Sequence, residues 1–151
     1  MIRSITQFLL LLLATALPAP AANSSRISSK DPIINFSLPT FTNPDGYRHW
    51  LIRGSEAWMT EQNIIDVKEL SLTVFRGDAS NQISTMMLSP AARVLPEEKI
   101  VTGDSTLRVI NLSDGIEVTG QNWRYTDKTQ TITLAKNVRV ILQAELKNFL
   151  K

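Results

Sequence analysis

The chain has 151 residues, enough for one domain with its own apolar core, and it has no cysteine. That removes disulfides, thiol catalysis and most structural zinc sites. Its formal net charge is only +2, from 16 basic and 14 acidic residues. Nucleic-acid binding would need clustered Lys and Arg with a clear positive excess, and neither is present.

Residues 1–22 read as an export signal. Arg3 supplies the positive start, residues 8–17 the apolar run, and Ala19-Pro20-Ala21 the small residues of a cleavage site. The run is too short for a membrane span, which takes about 20 apolar residues. The segment is expected to be cleaved near Ala21 or Ala22, or to stay on as an anchor. With no cysteine after it, a lipobox anchor is excluded. Its removal takes away Arg3 and no acid, so the net charge falls from +2 to +1. Residues 23–31 are Ser-rich and aperiodic and read as a flexible linker. Residues 32–151 are the expected folded domain.

Pro32 and Pro39 bracket a first strand in which Ile34, Phe36 and Leu38 alternate with polar or small residues, as at a sheet edge. Asn43-Pro44-Asp45-Gly46 is a turn. The next strand carries Trp50 and Ile52 on one face and is interrupted by Gly54, as at a bulge or a sheet corner. His49 neighbours Trp50, so it is expected on the opposite face, toward solvent. After the polar turn Glu61-Gln62-Asn63, Ile65 and Val67 have one parity and Leu70, Leu72 and Val74 the other. A bulge near Lys68-Glu69 would let all five face inward. Residues 77–81 form a loop. Residues 83–88 read as a strand, although adjacent Met86 and Met87 break the alternation. Residues 91–95 and 99–102 read as weak short strands without a readable register. Leu107 and Val109 open another strand, and Ser113-Asp114-Gly115 is a hairpin-type turn. At the end, Leu146, Phe149 and Leu150 have the spacing of a short helix, or of a frayed strand. About ten short strands and no strong helix make an all-β, antiparallel fold.

One pattern occurs twice. Trp50-Leu51-Ile52-Arg53-Gly54 recurs 66 positions later as Ile116-Glu117-Val118-Thr119-Gly120, and Thr60-Glu61 recurs as Thr126-Asp127. Ile65, Val67, Leu70, Leu72 and Val74 then correspond to Ile132, Leu134, Val138, Val140 and Leu142. Stacked copies of such a unit give a sheet with one long inner face, suited to holding something elongated and apolar.

Catalytic chemistry has little to start from. His49 is the single histidine, so a zinc site lacks its three or four ligands and a Ser-His-Asp arrangement has one possible base. There is no Gly-x-Ser-x-Gly elbow and no phosphate-cradling glycine loop. Glu56, Glu61, Glu97 and Glu98 sit in turns or beside strand ends, as solvated carboxylates do. Arg124, Lys128, Lys136 and Arg139 gather in the last third, either as a solvated face or as a rim for the phosphates of an anionic lipid. No enzyme activity and no cofactor are expected.

Three segments carry a family resemblance. They are residues 34–39 leading into 46–57 through Trp50-Leu51-Ile52-Arg53-Gly54, residues 65–75, and Gly115-Ile116-Glu117-Val118-Thr119-Gly120 through Thr131-Ile132-Thr133-Leu134 to Asn137-Val138-Arg139-Val140. Over roughly residues 33–143 the chain resembles the periplasmic lipopolysaccharide-export proteins of the LptC/LptA/OstA type, closest to LptC. The resemblance implies an open, V-shaped antiparallel β-jellyroll whose inner face takes the lipid A acyl chains of lipopolysaccharide. It also implies a periplasmic location, edge-to-edge docking with similar Lpt-type jellyrolls, and loading by an inner-membrane ABC transporter. It departs at the N-terminus, where LptC proteins usually keep an anchor and this segment looks cleavable.

On that basis the expected groove-lining residues are Trp50, Ile52, Leu70, Leu72, Val74, Leu107, Val109, Ile116, Val118, Ile132, Leu134, Val138 and Val140. Leu72→Arg or Val118→Arg is expected to abolish lipid binding. The candidate docking edges are residues 33–38 and 138–142. The alternative is a structural β-repeat scaffold of the envelope with a closed, dry core, since a packed core shows the same alternation.

Overall fold

The computed structural model describes residues 30–60 and 62–142. The expected signal segment and the C-terminal helix lie outside the described residues. Eight strands follow in chain order: β1 (Ile33–Phe41), β2 (Arg48–Met59), β3 (Ile65–Phe75), β4 (Ile83–Leu95), β5 (Ile100–Gly103), β6 (Leu107–Asn111), β7 (Ile116–Thr126) and β8 (Thr131–Leu142). A single 3-10 turn, Asp127–Thr129, joins β7 to β8. Neighbours pair antiparallel in the order β1-β2-β3-β4, then β5 and β6 side by side along β4 and β7, then β8. β5 and β6 are thus one strand position, broken at residues 104–106. The fold is an all-β antiparallel jellyroll. The eight strands are close to the expected ten or so, and residues 83–95 run on as one strand through Pro90 where two were expected.

Strands β2, β3, β4 and β7 change the face they bury at the same level. β2 buries Trp50 and Ile52, then Ala57; β3 buries Ile65 and Val67, then Leu70, Leu72 and Val74. β4 buries Met87 and Ser89, then Ala92 and Val94; β7 buries Gly120, then Trp123 and Tyr125. The pairing is unshifted across this line in β2–β3 (Arg53↔Ser71, Glu56↔Lys68) and in β3–β4 (Leu70↔Ser89, Lys68↔Ala91). The expected bulge at Lys68-Glu69 is therefore a corner: Glu69 has φ 53°, opposite Pro90, and all strands turn together. Asn35 (φ 54°) and Asn122 (φ 51°) bend β1 and β7 on the same line. Asparagine tolerates this left-handed region better than most residues, and Glu69 does not. Only β8 makes the turn with a bulge, where Gly120 faces both Asn137 and Val138 between the pairs Thr119↔Arg139 and Gln121↔Lys136.

The corner divides the sheet into half-sheet I (the part with Ile52, Leu72 and Val118) and half-sheet II (the part with Val67, Val94 and Tyr125). Their inner residues form one apolar core. The turn at Asn35 also corrects the first strand. Phe36 is buried and Leu38 packs on the core, but Ile34 lies beyond the bend and is exposed. Each end strand pairs on one side only among the described residues, β1 with β2 and β8 with β7. Pro39, which has no N–H to give, sits in the end strand β1.

Candidate functional site

The twofold sequence pattern has a direct structural counterpart. Gly54 and Gly120 each lie just before the corner, in β2 and β7. The repeated apolar sets are the inner faces on either side of it.

Within half-sheet I, Leu38, Ile52, Leu72, Met87, Val109, Val118 and Val140 stand opposite one another in successive strands, forming one row across the sheet. Burial falls along it. Ile52, Leu72 and Met87 are 0% exposed, Val118 is half-buried and Val140 is 56% exposed. The next row runs from Trp50 and Val74 through Thr85 and Asn111 to Ile116 and Leu142. It ends the same way, with Leu142 59% exposed. The two ends of the inner face therefore differ. From β2 to β6 it is a sealed core. At β7 and β8 it is an open apolar strip of Ile116, Val118, Val138, Val140 and Leu142, since β8 has no further strand beside it among the described residues. Each side chain there forgoes part of the about 1.5–3 kcal/mol that full burial would contribute.

The thirteen expected lining residues divide accordingly. Trp50, Ile52, Leu70, Leu72, Val74, Leu107 and Val109 are buried. Ile116, Val118, Ile132 and Leu134 are half-buried, and Val138 and Val140 are exposed. Leu72 has no open surface, so an arginine there would bury a charge inside the core and would not report on a groove.

His49 does not face solvent freely. Its Nε2 lies 2.9 Å from Asp127 Oδ1, and Asp127 is 6% exposed. The Tyr125 hydroxyl donates to the same carboxylate oxygen at 3.2 Å. Burial first, then the Asp127 charge and that hydrogen bond, push the Tyr125 phenol well above its usual range. The backbone N–H of Asp127 donates to Lys99 O at 3.0 Å, which fixes the carboxylate in place. Nothing local in the sequence signals this contact, because its partners are 78 residues apart.

The outer face is polar. A concavity of about 730 Å³ lies there around Trp58, Asp66, Lys68, Arg93 and Asp104, away from the apolar strip. Its charges satisfy one another: Arg93 donates to both Asp66 oxygens, at 2.8 and 3.4 Å. Trp50 and Trp123 are core residues, whereas Trp58 lines this outer patch. Arg124, Lys128, Lys136 and Arg139 are all exposed. Among the described residues no three His, Cys, Asp or Glu side chains gather as metal ligands do. Glu97 accepts a hydrogen bond from Asn63 Nδ2, and Glu56 is 3.6 Å from the Lys68 ammonium.

The family model for lipopolysaccharide-assembly, LptC-related proteins matches residues 19–143. The chain belongs to the LptC-related family. It is therefore a component of lipopolysaccharide transport in the cell envelope, a family of transport and binding proteins and not of enzymes. Its partners, at that level, are lipopolysaccharide and other Lpt proteins. No curated protein matches the chain. Among the described residues no helix is long and apolar enough to cross a membrane.

Proposed function

We propose that this LptC-related chain is a lipid-relay module of the periplasm. It holds acyl chains of lipopolysaccharide on the open strip of β7 and β8 and passes them to a similar domain. The observation that carries this reading is the fall in burial along one inner row, from 0% at Leu72 to 56% at Val140. A continuous apolar surface runs from a rigid core out to a free edge. Each methylene removed from water contributes about 0.8 kcal/mol, so a chain of about twelve carbons could gain on the order of 10 kcal/mol before the costs of binding. Such a site needs no polar motif. Lys136 and Arg139, exposed on the same strand, are placed to meet the phosphates of an anionic lipid. The sides of β1 and β8 that pair with no strand among the described residues suit edge-to-edge docking, with an inner-membrane ABC transporter loading the chain of domains. Residues 1–22 act in this account as the export signal, or as a retained anchor.

A second reading has its own observation. Ile52, Leu72, Met87 and Leu107 are 0% exposed, as in a closed scaffold. A polarity-sensitive apolar dye separates the two. Uptake that is lost in Val140→Arg, with the melting curve unchanged, supports the relay. No uptake by the wild-type protein supports the scaffold.

A further inference from the structure

We propose that His49 and Asp127, backed by Tyr125, form a gate that sets how far an acyl chain enters between the half-sheets. The inference rests on the relay reading above. His49 lies at the end of β2 in half-sheet I, one residue from Trp50 of the inner face. Asp127 lies past the end of β7 in half-sheet II, beyond the pair Thr126↔Ile100. Both ends are remote from the corner. Ladder hydrogen bonds run within each half-sheet, so they cannot hold these ends together. The shared core packs between the half-sheets, and the 2.9 Å contact between His49 Nε2 and Asp127 Oδ1 adds a polar tie across their ends.

The position of this contact gives it a consequence for binding. β7 carries Ile116 and Val118 of the open strip at one end and leads into Asp127 at the other. A chain lying on the strip meets the sealed region, across which the His49–Asp127 contact joins the start of β2 to the turn after β7. Behind that closure lie Trp50 at 6% exposure and Tyr125 at 2%, both inner-face residues. With the gate closed, a ligand has only the strip. With it open, the half-sheets can part along their free ends and extend the apolar surface toward Trp50.

The parts suit a contact that opens and closes. The carboxylate accepts from the Tyr125 hydroxyl, and the backbone N–H of Asp127 is bonded to Lys99 O, so Asp127 stays in position when the imidazole leaves. His49 keeps 23% of its side-chain surface in contact with solvent, so it has somewhere to go. A buried structural pair with both partners enclosed would have no such freedom.

The absence of cysteine makes the test direct. In a His49→Cys/Asp127→Cys variant the two engineered thiols are the only ones, and a short bis-maleimide ties the half-sheets together. The probe is cis-parinaric acid, an acyl chain that fluoresces on leaving water. The expected result is at least tenfold weaker binding by the tied form than by the same variant left untied, with His49→Ala binding at least as well as wild type. Equal binding by tied and untied forms overturns the gate and leaves the strip intact. Absence of binding by every form, wild type included, overturns the relay reading and the gate with it. Amide exchange on the wild-type protein guards against a variant that does not fold. Exchange at residues 48–50, on the side that leaves, rising on saturation with the probe supports the gate, and exchange unchanged or slowed there contradicts it.

Discussion

The Cγ1 of Val67 occupies the space where a side chain on Gly54 would begin. A Cβ built on Gly54 runs into that methyl and lies 2.9 Å from the carbonyl oxygen of Lys68. β2 and β3 therefore come together at the corner at a distance only glycine allows. The equivalent position in the second copy is looser, since a Cβ on Gly120 meets Leu134 at 3.1 Å and no backbone closer than 3.3 Å. Gly54→Ala is expected to lower stability by about 1–3 kcal/mol, as overpacked cores do, and Gly120→Ala by clearly less. Urea denaturation of the two variants checks the order, and equal losses would contradict it.

Glu69 makes the opposite case. Its φ of 53° is a left-handed conformation that costs a non-glycine residue about 1–2 kcal/mol, and the side chain is exposed. Glu69→Gly and Glu69→Asn are both expected to raise stability, by up to about 1 kcal/mol, whereas Glu69→Val is expected to lower it. Thermal melts of the three variants test the assignment of the corner to this residue.

The sealed and open ends of the inner face should respond differently to truncation. Leu72→Ala removes a side chain with no exposure and is expected to cost about 2–5 kcal/mol. Val140→Ala, on the exposed strip, is expected to stay within about 0.5 kcal/mol. Val140→Arg is expected to fold and to lose lipid binding, while Leu72→Arg is expected not to fold. Circular dichroism together with a dye-binding assay reads both quantities.

Tyr125 links stability to alkaline pH. Burial, then the Asp127 charge and the hydrogen bond to it, hold the folded phenol above its ordinary value near 10. The folded state keeps the proton after the unfolded chain has lost it. The contribution is thus complete below about pH 10 and declines as the pH rises beyond that, by at most about 1.4 kcal/mol per pH unit. Tyr125→Phe is expected to be less stable than wild type at pH 8, having lost a buried hydrogen bond to a carboxylate. The difference is expected to shrink above pH 10. Urea midpoints measured from pH 8 to 11 decide it, and parallel curves would contradict the shift.

Much of this architecture is legible in the sequence, and the missing parts share a cause. The alternation in β2, β3 and β7 identifies the strands, and the repeated glycine marks the corner in both copies. The parity change between Val67 and Leu70 is also visible, but one strand alone cannot distinguish a bulge from a bend. The difference lies in whether the neighbours Arg53, Glu56, Ser89 and Ala91 keep their register, and they do. Pro90 and the adjacent methionines suggest a break in β4, yet proline is tolerated there because it sits at the bend, opposite Glu69. The pairing of His49 with Asp127 depends on how the two half-sheets cross, and no local pattern encodes that. The burial gradient is likewise invisible in sequence, since Leu72 and Val140 are both inward-facing aliphatic residues. Their difference comes only from their distance to the free edge.

The central claim is that the open strip touches the acyl chains of lipopolysaccharide. Site-specific photo-crosslinking in cells tests it most directly. A crosslinking residue replaces Val118 or Val140 on the inner face, with Glu117 and Ile141, paired with each other, as outward controls on the same strands. The relay account predicts lipopolysaccharide adducts at Val118 and Val140 and none at the controls. Adducts at neither inner position in exported, folded protein, or equal adducts on both faces, would contradict it.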